Sequence, residues 1–146
     1  MSRIRTLRGA FIEGETHRVV VDDGRLNHGY KVLKFVVAPR NPGAAGTDVW
    51  GTLSLDYDGG LFWNFNDNRQ IAWSSNYANG SNQAEEGFEL IDPDHIVIQD
   101  LYIEGQTGTA GGGDTVNYFI LVEMVELTDD QAVLQLIKER SQDDRR

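Results

Sequence analysis

The stretch Val116–Leu127, VNYFILVEMVEL, constrains this chain more than any other. It contains neither Gly nor Pro and is rich in β-branched and aromatic side chains. As a strand it would run roughly 40 Å, at about 3.3 Å per residue. One face reads Val116, Tyr118, Ile120, Val122 and Met124. The other reads Phe119, Leu121, Val125 and Leu127, interrupted by Asn117 and Glu123. Apolar side chains on both faces describe a strand covered on both sides over part of its length, so it belongs inside a sheet and not at an edge.

Alternating segments precede it. Ile4–Ile12 reads as a weak strand with basic side chains, suited to an edge or an arm. Thr16–Val21, His28–Ala38, Asp48–Tyr57, Leu61–Phe65, Arg69–Ser74 and His95–Glu104 follow, with Phe88–Ile91 before the turn Asp92-Pro93-Asp94. Within His28–Ala38 the set Lys31, Leu33, Phe35 and Val37 reads as the core-facing one. Asp58-Gly59-Gly60 predicts a hairpin turn, and Asn76–Gly87 and Gly105–Asp114 read as loops. About eight strands at close spacing, without a helical pattern before residue 128, predict an all-β fold. The fold class is an antiparallel β-sandwich or jelly roll with one C-terminal α-helix.

That helix is specified by its start. Thr128 is the expected N-cap and Gln131 its capping-box partner, with Asp129 and Asp130 at the positive end of the dipole. Ala132, Val133, Leu136 and Ile137 share an arc that Leu134 widens, so one face should pack on the sandwich or on a neighbouring subunit. The chain divides into a basic arm or edge strand (1–12), a β-sandwich (13–127) and a helix with a charged tail (128–146).

A chain of 146 residues forms one domain, which at this size buries about 68–70% of its unfolded surface. It has no cysteine, so disulfides, thiolate nucleophiles and thiolate metal sites are all excluded. No apolar run suits a signal peptide or a membrane span, and the reading is of a soluble chain made in a cytoplasm. The net charge of −10 is uneven. Residues 1–50 carry eight Arg or Lys against five acids, whereas residues 51–100 carry one against nine. The total argues against free nucleic acid as a partner. A basic beginning on an acidic body favours self-association, with Arg3, Arg5 and Arg8 of one copy lying on the next.

Candidate chemistry is sparse. His17, His28 and His95 show no metal-ligand spacing and read as ordinary surface or hydrogen-bonded histidines. The pairs Asp22/Asp23, Asp56/Asp58 and Asp92/Asp94 could offer oxygens to Ca²⁺, but turn chemistry accounts for each. Hence no metal, cofactor or catalytic residue is assigned. Trp50, Trp63, Trp73 and Tyr77, with Tyr57 and Phe62, cluster among Asn and Asp, which is the composition of a sugar-binding surface as well as of packing. A carbohydrate-binding, lectin-like module is the alternative reading; it needs two exposed rings within a sugar's length.

Three segments, DNRQIAW (Asp67–Trp73), DPDHIVIQDLYIEG (Asp92–Gly105) and TDDQAVLQLIKERSQDD (Thr128–Asp144), stand beside an opening R-x-x-x-G and VVVDDGRLNHGYKV. Together they resemble small β-rich virion structural proteins of marine bacteriophages. The resemblance implies a jelly-roll or sandwich domain on the capsid surface, present in many copies, with a major capsid protein as neighbour. It carries over no active-site residue. Subunit contacts are expected at Arg3, Arg5, Arg8, Val133, Leu136 and Ile137.

Overall fold

The structure is a computed structural model, and it describes residues 3–21, 24, 27–40, 47–58, 60–78, 86–108, 115–134 and 137. Eight strands form two antiparallel sheets. They are β1 (Arg3–Ile12), β2 (His17–Val20), β3 (His28–Pro39), β4 (Thr47–Ser54), β5 (Gln70–Ala78), β6 (Glu86–Ile91), β7 (Asp100–Thr107) and β8 (Thr115–Glu126). The small sheet has the order β1-β8-β3 and the large one β2-β7-β4-β5-β6. They pack face to face as a sandwich, with β3 lying over β4, β5 and β6.

β8 is the inner strand its composition predicts, paired over its length with β1 on one side and β3 on the other. Val116, Ile120 and Val122 are fully buried against the large sheet, and Tyr118 and Met124 pack on the same core. The opposite face, Phe119, Leu121 and Val125, is only half-buried; among the described residues, Val125 packs against Ile98, Leu127 and Ala132 at its end. β1 is an edge strand joined to β8 by ten residue pairs, from Arg3–Met124 to Ile12–Thr115, and so is integral to the sandwich.

β3 departs from its expected alternation. Tyr30 and Val32 face the core, then the register shifts between Val32 and Lys34, and Phe35 and Val37 face the core beyond it. Leu33 is the extra residue of a β-bulge and is exposed. A bulge changes the parity of a strand, so the core-facing set is Tyr30, Val32, Phe35 and Val37. The core role read for Lys31 and Leu33 is thereby corrected. The free edge of β3 is closed without a further strand. Phe35 N–H donates to Glu89 Oε2 at 2.7 Å and Val37 N–H to Ser74 Oγ at 3.3 Å. Tyr30 and Val97 exchange backbone hydrogen bonds at 2.8 and 2.7 Å. These partners satisfy donors that an edge would otherwise leave open to another chain.

Paired glycines, Gly51 and Gly105, let the two sheets pack closely. A Cβ on Gly51 would lie 2.9 Å from a Val37 methyl, and one on Gly105 would lie 2.9 Å from the Phe11 ring. Side chains there would hold the sheets apart, and the core of Phe35, Val37, Leu53 and Ile103 would lose its contacts.

One expected strand is absent and another is shifted along the chain. Leu61–Phe65 is not extended; residues 55–58 and 60–69 form a loop folded across the outer face of the large sheet, and Gly59 of the expected Asp58-Gly59-Gly60 turn lies outside the described residues. Its backbone is held by side chains in place of a ladder. Thr52 Oγ1 donates to Leu61 O at 3.0 Å, Gln70 Nε2 donates to Phe62 O at 2.9 Å, and Asn64 N–H donates to Gln70 Oε1 at 2.8 Å. His95–Gln99 is likewise irregular apart from the Tyr30–Val97 bridge, and β7 instead continues through Gly105 to Thr107. β5 and β6 also extend into the predicted 76–87 loop, as far as Ala78 and from Glu86.

The C-terminal helix α1 takes in 129–134 and 137 among the described residues. Its capping box forms as the sequence predicts: Thr128 N–H donates to Gln131 Oε1 at 2.9 Å, and Gln131 N–H to Thr128 Oγ1 at 3.2 Å.

Candidate functional site

Two surfaces, on opposite sides of the sandwich, concentrate the residues singled out in the sequence. The first is the outer face of the small sheet. Cross-strand partners share a face, so its rows are Arg8–Phe119–Val36, Thr6–Leu121–Lys34 and Ile4–Glu123–Lys31. The face has an apolar centre of Phe119, Leu121 and Val36, extended by exposed Ile4 and Leu33, and a cationic rim of Arg8, Lys31 and Lys34. Arg3 and Arg5 fall on the opposite side of β1. Arg5 donates to Val21 O at 3.3 Å and lies 5.7 Å from the Tyr30 ring centroid, so it ties the strand to its own core. The three arginines therefore do not act as one patch; Arg8 alone joins this face.

α1 adds a separate apolar stripe. Ala132 is 1% exposed, packed against Ile98 and Leu127, whereas Val133, Leu134 and Ile137 are 47%, 65% and 55% exposed. Only the Ala132 side of the predicted arc meets the sandwich; Val133 and Ile137 do not, and Leu136 lies outside the described residues. Asp129 and Asp130, both exposed, stand at the start of the stripe.

The second surface is the outer face of the large sheet. Here Trp50, Ser75 and Phe88 are successive cross-strand neighbours on β4, β5 and β6. A large, a small and a large side chain in a row leave a cleft of about 380 Å³, lined also by Asp48, Val49, Asn76 and Gly87. Trp63 reaches over from the 55–69 loop and stacks on Phe88, with centroids 5.4 Å apart and planes 27° apart. Asn76 Oδ1 and Trp63 Nε1 are buried side-chain atoms without a hydrogen-bond partner. Trp73, by contrast, is buried beneath Phe65, its ring edge-on at 4.8 Å, and its Nε1 donates to Gln70 Oε1 at 2.9 Å. It is removed from the sugar-facing set. Tyr77 lies in β5 opposite Asp48 and Glu86 by backbone register, and its side chain lies outside what the structure describes. Phe88, which alternation alone would not single out, becomes a cleft wall because β6 places it beside Ser75.

The loop over this face is pinned by one cation. Arg69 donates through Nε and Nη2 to both oxygens of Asp67 at 3.0 and 2.7 Å, and through Nη1 to Asp56 at 3.4 Å. The hydrogen bonds from Arg69 hold the Asp67 carboxyl below its ordinary pKa, and the same partners raise that of Arg69. The remaining acidic turn is accounted for similarly: Asp92 Oδ1 accepts from Asp94 N–H at 3.0 Å, and Asp92 Oδ2 lies 3.2 Å from His95 Nε2. Asp22 and Asp23 lie outside the described residues. Among the described residues no group of three or more His, Asp or Glu side chains is placed to hold a metal ion, and no helix is long and apolar enough to cross a membrane.

Fold and surfaces together define an antiparallel β-sandwich with one basic, apolar outer face and one aromatic, acidic outer face. No family model, curated protein or solved structure matches the chain.

Proposed function

We propose that this chain is a non-enzymatic structural protein that works through broad contacts with copies of itself and with neighbouring subunits. The observation that carries this reading is the pair of uncovered surfaces described above, the small sheet's outer face and the α1 stripe. Each large apolar side chain left in water forgoes about 1.5–3 kcal/mol that burial would provide. Scattered exposed residues need no explanation, but contiguous rows of them do. The two surfaces are also complementary: Asp129 and Asp130 lead an apolar stripe, and Arg8, Lys31 and Lys34 rim an apolar sheet. Docking α1 of one copy on the small sheet of the next is a heterologous contact, which generates a ring or an open array. The virion setting, as a capsid decoration or minor capsid protein beside a major capsid protein, rests on the sequence resemblance.

The test is the mass of the native assembly by light scattering, with imaging for rings or arrays. Leu134→Asp and Leu33→Glu should each lower the assembled mass while moving unfolding free energy by no more than about 0.5 kcal/mol, as for surface changes. Wild-type protein that remains monomeric up to ~1 mM would refute the reading, because that leaves less than about 4 kcal/mol for the contact.

A further inference from the structure

We propose that the cleft between Trp50 and Phe88 is a binding site for a neutral saccharide, most simply the terminal ring or two of a glycan. The site is separate from the assembly surfaces, and a monomer could carry it. Trp50 and Phe88 lie two strands apart on one face, so their Cα atoms are separated by about 10 Å. Ser75 between them leaves a slot that a single ring fills, with the C–H faces of a pyranose against aromatic walls. Phe88 is backed by Trp63, which fixes one wall before any ligand arrives.

The polar lining selects the class. Asp48 contributes a carboxylate and Ser75 a hydroxyl. Saccharide hydroxyls are donors set around an apolar ring, which matches the Ser75 hydroxyl and Asp48 carboxylate set beside two aromatic side chains. The volume of about 380 Å³ lies within the range of roughly 300–1,000 Å³ typical of small-ligand sites and exceeds what one guanidinium needs. Asp48 works against sialic and uronic acids, whose carboxylates it would repel. Gly108 has a part in placing that group: a Cβ there would collide with the Asp48 carboxylate, so the glycine leaves room for it.

The experiment is a printed array of neutral and acidic glycans, followed by NMR titration of the retained neutral glycan. Wild type should retain neutral glycans and bind the free sugar with a constant around millimolar. Ser75→Leu, which fills the floor, and Trp50→Ala, which removes a wall, should each weaken binding by roughly tenfold or more. Asp48→Asn keeps the shape and should relieve the discrimination against acidic glycans. Phe62→Ser, an exposed aromatic outside the lining, should leave binding unchanged. Thermal melts show which variants are folded, and Ser75→Leu gives the result if Trp50→Ala does not fold. An array with nothing retained, a preference for acidic glycans, or wild-type binding by folded Ser75→Leu would each overturn the assignment. So would retention of arginine methyl ester in place of every glycan.

Discussion

Replacing Arg69 by methionine isolates what holds the 55–69 loop over the large sheet. The side chain of Arg69 is 14% exposed, and the carboxylates it joins, Asp56 and Asp67, are 14% and 19% exposed. Methionine keeps the aliphatic stem and removes the charge, so Asp67 and Asp56 lose the guanidinium they share. Removing one partner of a fully buried pair costs about 3–5 kcal/mol. Water still reaches these oxygens, so the expected loss is lower, about 2–3 kcal/mol. The assay is urea unfolding at neutral pH, with limited proteolysis of the loop as a local readout. Arg69→Lys should recover less than half of the loss, because one ammonium cannot bond both Asp67 oxygens as the guanidinium fork does. Adding Asp67→Asn to Arg69→Met should cost less than the sum of the single changes, since the two groups act on each other. A loss under about 0.5 kcal/mol for Arg69→Met would show that the loop is held by its backbone hydrogen bonds and aromatic contacts alone.

Two further outcomes follow from the same geometry. Because Arg69 holds the Asp67 carboxyl below its unfolded value of about 3.9, its contribution is present at neutral pH and is lost as pH falls through the lower folded value. Urea midpoints measured from pH 6 downward should therefore fall less steeply in Asp67→Asn; an identical acid limb would refute that origin. Deleting Leu33 should leave a folded protein, because removing the bulge residue rejoins Val32–Val122 to Lys34–Leu121 with the same faces inward. Deleting Val36 instead reverses the rest of β3 and exposes fully buried Val37, a loss of at least about 1.5–3 kcal/mol before any repacking. Comparable melts for the two deletions would refute the parity argument.

Much of this architecture was legible in the linear chain, where the deciding interactions are local. The largely apolar run of β8, free of Gly and Pro, marks an inner strand, and the Thr128/Gln131 spacing marks a helix start whose donors must be capped. Val49, Gly51 and Leu53 alternate along β4 and share its inner face, as local period-two geometry requires. Failures came where distant groups overrode local pattern. Leu61–Phe65 has strand composition, yet Thr52, Gln70 and Asn64 satisfy the loop by other bonds, so it crosses the sheet instead of joining it. One bulge at Leu33 inverted the reading of half of β3, and parity errors of this kind leave no mark in composition.

The site divides the same way. Sequence alone identified an aromatic cluster, an apolar helix stripe and uneven charge. It could not say that Trp73 lies under Phe65 while Trp50 stands beside Ser75 and Phe88, because that depends on pairing between β4, β5 and β6. Nor could it place Arg8, Lys31 and Lys34 on one face and turn Arg3 and Arg5 to the other. Local propensity and capping act within a few residues and are written in the chain. Which faces meet, and which are left for a partner, is decided by strand order and register, and those exist only once the two sheets have closed on each other.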